Sequence, residues 1–143
     1  MVFIKNREDN FRKYLEKHFK LVLSDDIALF YTKGVRVGNP DIRQSRITGE
    51  LGYAACDFGF NPTNSFIQNF GHLAKRNIVK LKDKEAKDFA AGMDIKMDLG
   101  KKNKHVIVTY NGYTLGLGHY ETNKKKIINK IPEKRRREIL NEI

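Results

Sequence analysis

The 143-residue sequence holds a single cysteine, Cys56. One thiol excludes an intrachain disulfide and a cysteine-based zinc site, and it suits a reducing cytoplasm. Cys56 lies in the run 51–58, which reads as a buried strand, so a small buried hydrophobe is its expected role rather than a reactive thiol. Long apolar runs are also missing. No segment approaches the ~18 consecutive apolar residues of a membrane span, and the stretch Met1 to Lys5 is too short for a signal h-region. Binding to a membrane surface would need a basic amphipathic helix with a bulky apolar face, or a lipidation signal, and neither is evident. A soluble, cytoplasmic protein with no membrane partner is expected.

The residues that carry catalysis are equally sparse. Gly112, Gly116 and Gly118 do not make G-x-G-x-x-G, because the third position falls on Glu121, and they sit in a strand rather than opening a helix. There is no P-loop. The histidines at 18, 72, 105 and 119 have no metal-ligand spacing with cysteine or with one another. Asp25 and Asp26 are adjacent on a turn, where they serve better as a solvated loop or cap than as an acid/base pair. No catalytic residue, cofactor or metal is expected.

What the chain has in excess is positive charge, a formal +11. Such an excess creates a long-range field that attracts polyanions, nucleic acid first among them. Residues 1–60 carry 10 Lys+Arg against 8 Asp+Glu, whereas residues 61–143 carry 18 against 9. The polyanion-binding surface is therefore expected in the second half. With 40% hydrophobic residues the chain can also bury a real core, which excludes a disordered tail.

Periodicity organises the chain. Phe11, Tyr14, Leu15, His18 and Phe19 mark one face of a helix over 6–19, with Asn6 as its cap and Glu8 and Asp9 in its first turn. Residues 27–32, a turn at Lys33-Gly34, and 35–37 read as a hairpin, a polar stretch runs through 39–49, and 51–58 reads as another strand. Thr63 or Asn64 caps a helix through Phe70 and on to Leu73-Ala74. A strand over 77–81, a helix over 83–91 stopped by Gly92, and a stretch with Ile95, Met97 and Leu99 facing one way follow. The strongest local signal is Asn111-Gly112 between the strands 105–110 and 113–120, which predicts a type I′ hairpin. Gly116 and Gly118 alternate along the second strand and predict a bend or a close backbone approach. Ile127, Ile128 and Ile131 make a final strand, and Pro132 at the first helical position opens a helix over 133–143 that buries Ile139, Leu140 and Ile143. Lys134, Arg135, Arg136 and Arg137 in its first turn run against the macrodipole, a hint of functional demand.

The basic residues gather in runs: Lys75-Arg76 at a helix end, Lys101, Lys102 and Lys104 in one loop, Lys124, Lys125 and Lys126 in another, then Lys130 and 134–137. Any one run can be a solvated loop. Gathered on one face of a barrel, with His119 and Tyr120 for stacking, they fit phosphate and base contacts.

The strings NPTNSFIQNFGHLAKRNIVKL (61–81), VIVTYNGYTLGLGHY (106–120) and KIINKIPEKRR (126–136) resemble PUA-like domains. They are similar to the PUA-related C-terminal extension of the Sun/Nop RNA cytosine methyltransferases, found also as short stand-alone proteins. The Nip-type ribosome-biogenesis factor, an α/β domain followed by a PUA domain, has a similar layout. The resemblance covers the last 80 residues or so, and the first 60 only in the order of elements. It implies a pseudo-barrel, binding to structured RNA, and an RNA surface made by the first PUA helix, the loop after it and an adjoining strand. On this chain those positions are Gly71, Lys75 and Arg76, with His119 and Tyr120. The methyltransferase part is absent, Cys56 is not in a Pro-Cys motif, and the lysine-rich insert departs from the family.

The expectation is thus an α+β protein, a small N-terminal helix-plus-sheet unit (1–60) followed by a PUA-like pseudo-β-barrel (61–143) with a basic C-terminal helix. Its expected role is non-catalytic binding of rRNA or tRNA in ribosome biogenesis or RNA modification. The alternative is an adaptor that recruits a separate RNA-modifying enzyme or ribosome-assembly protein.

Overall fold

The computed structural model describes residues 7–24, 27, 29–31, 35–37, 53–57 and 59–142. The first helix, α1, spans Arg7–Phe19 and buries Phe11, Leu15 and Phe19, spaced four apart on one face. Glu8 and Asp9 lie in its first turn and Lys17 and His18 in its last, so both ends complement the macrodipole. The expected cap Asn6 lies outside the described residues, as do Asp25-Asp26, the turn at 33–34 and the polar stretch 39–49.

Strands β1 (Leu29–Tyr31) and β2 (Val35–Val37) pair antiparallel, with Leu29 opposite Val37. Strand β3 (Tyr53–Ala54) adds to β2 in a three-stranded sheet. Among the described residues the expected strand 51–58 is reduced to these two residues and one bridge from Cys56 to Pro62. The ladder ends in a corner because the N–H groups of Ala55 and Cys56 both turn to the Val35 carbonyl, while the Ala55 carbonyl accepts from Thr63. Cys56 is buried, as expected, and that burial pushes its thiol up, away from reactivity.

Helix α2 (Asn64–Phe70) is capped by the Thr63 hydroxyl, which accepts from the Phe66 N–H at 3.2 Å, and a 3₁₀ turn continues it through Gly71–Leu73. Then follow β4 (Ile78–Lys80), α3 (Asp83–Ala90), β5 (Ile95–Lys96), β6 (Lys104–Tyr110), β7 (Tyr113–Glu121), β8 (Lys126–Asn129) and α4 (Glu133–Glu142). The five strands form a sheet in the order β4-β6-β7-β8-β5, curled into a half-barrel. Its β4–β6 pairing is parallel and the rest antiparallel. This is the α+β architecture and PUA pseudo-barrel the sequence predicts.

The β6–β7 hairpin closes through Asn111 (φ 49°) and Gly112 (φ 78°), the two positive values that a type I′ turn demands. Val108 faces Gly116 but Thr109 faces Thr114, so Leu115 is an extra, bulged residue that adds bend to β7. A Cβ on Gly118 would stand 2.5 Å from Ile127 Cγ2, so β7 and β8 approach only because that side chain is missing.

Side chains alternate across this sheet and build two cores. On one face Ile107 and Leu117 join α1 and α2 around Phe11, Phe66 and Ile67. On the other Val106, Val108, Leu115, Tyr120 and Ile127 join Phe89 of α3 and Ile139 of α4. The chain after β8 differs from expectation in detail. Ile131 leaves the ladder and is buried beyond it, and Pro132 is the N-cap, one position earlier than predicted, its carbonyl accepting from the Arg135 and Arg136 N–H groups. Leu140, expected in the core, is 43% exposed, because α4 turns only Ile139 inward; Ile143 lies outside the described residues.

Candidate nucleic-acid interface

The segment 75–77 does its local work on α1. A helix end leaves carbonyls without intrahelical donors. Here the N–H groups of Lys75 and Arg76 both donate to the Phe19 carbonyl, at 2.9 and 3.0 Å, and the Asn77 side chain donates to the His18 carbonyl at 2.6 Å. The Arg76 guanidinium donates to the Lys17 carbonyl at 2.7 Å. Four donors from three residues of the loop before β4 thus cap α1, and the helix is fixed beside the start of the five-stranded sheet.

That capping brings cations together. Lys17, Arg76 and Lys104 line one groove with Tyr14, His18 and Asn77, about 360 Å³ in volume. Lys13, Lys17, Lys20 and Arg76 line a second with Glu16, about 530 Å³, which shares Lys17 and Arg76 with the first. Lys101 reaches the same place, its Nζ 3.4 Å from the Asn77 side-chain oxygen. Among the described residues no carboxylate pairs with Lys13, Lys17, Lys20, Lys75, Arg76, Lys101, Lys102 or Lys104. Lys13 and Lys17 of α1 and Lys20 just past its end were not among the expected contacts, although the i, i+4 spacing of the first two marks one helix face.

The run 124–126 is different in kind. Lys124 pairs with Glu121 at 3.6 Å, Lys125 with Asp98 at 3.7 Å and Lys126 with Asp94 at 3.4 Å. Three of the cations expected to face a polyanion already face carboxylates.

His119 and Tyr120 do not share a surface. Neighbours in a strand point to opposite faces, and Tyr120 points inward, fully buried, its hydroxyl accepting from the Leu99 N–H at 3.1 Å. It cannot stack on a base. His119 is half-buried and sits edge-on to His105 at 4.8 Å. His105 is pushed down to about 4 by burial first and then by His119, His18 and Lys130, so it is neutral at pH 7. His18 is lowered by burial and is a packing residue, as expected, stacked on Tyr14 at 5.3 Å with its Nε2 3.3 Å from the His105 carbonyl.

The basic start of α4 has structural partners that answer its unfavourable placement against the macrodipole. Arg135 donates to Gln68 at 2.9 Å and pairs with Glu138. Arg136 donates to the Ile131 carbonyl at 2.8 Å, and its guanidinium lies over Gly92, where any Cβ would clash with it. Arg137 pairs with Glu133, while Lys130 and Lys134 are exposed. Gly71 is buried against Thr114 and Ile107 and lines a separate groove of about 410 Å³ between the 3₁₀ turn and the hairpin turn, with Lys80 its only lysine among the described residues.

Among the described residues no helix is long and apolar enough to cross a membrane. No curated protein matches the chain. Residues 76–137, from the Arg76 cap through the first turn of α4, match the family described as the methyltransferase RsmF PUA domain. The match covers that domain and no methyltransferase catalytic domain. Residues 76–137 of this chain are therefore a PUA domain of the RsmF type, from the Sun/Nop methyltransferase family.

Proposed function

We propose that this chain binds structured RNA, rRNA or tRNA, without catalysing a reaction itself, and acts in ribosome biogenesis or RNA modification. The observation that carries the reading is that Lys75, Arg76, Lys102 and Lys104, where the PUA domain begins and along it, have no carboxylate partner among the described residues. Unpaired ammonium and guanidinium groups release bound counterions when they meet phosphates, and that release drives binding. Lys75, next to the first matched residue, and Lys102 and Lys104 within the domain are the phosphate contacts, and Lys101 supports them from its place on Asn77. Lys124, Lys125 and Lys126 contribute less, because each would first have to leave an acidic partner.

The test is affinity for rRNA and tRNA fragments across a salt series. Changing Lys75, Lys102 and Lys104 together to Ala should weaken binding and flatten the log-log salt slope by about 2, at ~0.7 to 0.9 per phosphate. The same change at 124–126 should do much less. Weak, salt-insensitive binding by the unaltered chain would overturn the reading in favour of an adaptor with a protein partner.

A further inference from the structure

We infer that the track formed by the two grooves along α1 is a second RNA site, which takes an unpaired strand leading away from the structured RNA held by the PUA domain. This rests on the RNA-binding reading above, but it assigns a role to residues outside the matched domain. Lys13 and Lys17 stand one turn apart on α1, Lys20 is the left-handed residue just past its end (φ 49°), and all three are exposed and line one groove. They meet Arg76, which belongs to the PUA domain and whose guanidinium is tied to the Lys17 carbonyl. The PUA surface and the α1 surface are therefore joined through one side chain.

The chemistry of the track favours a single strand. It is two shallow grooves that adjoin through Lys17 and Arg76, each within the size range of small-ligand sites. In the inner groove the cations Lys17, Arg76 and Lys104 stand with Tyr14, whose hydroxyl has no hydrogen-bond partner among the described residues, and with Asn77, whose amide is already held by the His18 carbonyl and Lys101. Cations beside a tyrosine suit phosphates with an adjoining sugar hydroxyl or base edge. Among the described residues the single carboxylate on the track is Glu16, in the outer groove, against four cations there.

The experiment uses the full chain and two fluorescein-labelled probes, an RNA hairpin with a ten-nucleotide single-stranded 3′ tail and the same hairpin cut blunt. The unaltered chain should bind the tailed hairpin on the order of ten-fold more tightly. Lys13→Ala, Lys17→Ala and Lys20→Ala combined should abolish that advantage and flatten the salt slope for the tailed probe by about 2, at ~0.7 per single-strand phosphate, with the blunt probe bound as before. These lysines are exposed, and an unchanged circular-dichroism melt would confirm that the fold persists. Photocrosslinking of a 4-thiouridine tail should label the peptide containing residues 13–20. Equal binding of the two probes, or a tail advantage that survives the triple change, would overturn the track and leave the PUA reading standing. Failure to bind either probe would overturn both.

Discussion

The Arg76 guanidinium donates to the carbonyl of Lys17, 59 residues earlier in the chain, at 2.7 Å. A residue that the family resemblance implicates in RNA contact is thus also a helix cap. A charged hydrogen bond at an exposed site stabilises by about 1 kcal/mol. Arg76→Ala should therefore lower the unfolding free energy by about that amount and weaken RNA binding as well. Arg76→Lys should restore part of the binding through its charge but not the stability, since an ammonium cannot reproduce the planar fork. Urea titrations of both variants beside their RNA affinities separate the two roles; equal recovery of stability and binding in the Lys variant would argue against a structural role for the fork.

Gly118 offers a sharper test of packing. Its absent Cβ would stand 2.5 Å from Ile127 Cγ2 and 3.2 Å from Val108 Cγ2, both inside the barrel core. Gly118→Ala should cost about 1–3 kcal/mol, the usual range for an overpacked core. Gly112→Ala meets no neighbouring atom, but it must hold φ at +78°, so its cost should come from backbone strain alone and be about 1 kcal/mol. Denaturation midpoints that rank the two variants in the opposite order would count against this account of the β7–β8 approach.

Stability should fall with acid through His105. In the unfolded chain a histidine takes a proton near pH 6.5, whereas in the folded protein burial, with His119, His18 and Lys130, holds His105 down to about 4. Between those values the unfolded state binds more protons, so stability declines as pH drops from about 6.5 toward 4. Thermal melts should show that decline, and His105→Gln should make it shallower than in the unaltered protein. Parallel curves for the two proteins would show that carboxylates, not this histidine, set the acid response.

How legible each feature was depended on the reach of the interaction behind it. The β6–β7 hairpin could be read directly because Asn111-Gly112 fixes its geometry within four residues, and α1 because Phe11, Leu15 and Phe19 repeat at helical spacing. The parallel β4–β6 pairing left no local mark, since its partners Ile78 and Ile107 meet across a long crossover. The pairing of the lysine run was hidden for a related reason: Asp94 and Asp98, which pair with Lys126 and Lys125, lie 32 and 27 residues away. Tyr120 was a different kind of miss, because strand alternation alone already places it opposite His119. The α1 lysines were hidden by counting charge in halves, where Glu8, Asp9 and Glu16 offset them although those carboxylates do not pair with them.

Phe11 and Phe66 bear on whether the first residues and the PUA domain fold together. Their rings meet edge-on at 5.2 Å, both fully buried, and Phe60 stacks on Phe11 at 6.4 Å. The same cluster includes Ile107 and Leu117 from the barrel strands, so α1 covers one face of the five-stranded sheet. Truncating such a ring to alanine costs about 3–5 kcal/mol, a large part of the ~5–15 kcal/mol that holds a domain. Phe11→Ala should therefore loosen the barrel as well as α1. Hydrogen exchange would read this at the amides of Ile107 and Leu117, 96 and 106 positions away in sequence: faster exchange there means one cooperative unit. Unchanged exchange in the strands, with protection lost only in α1, would mean that the barrel stands without it.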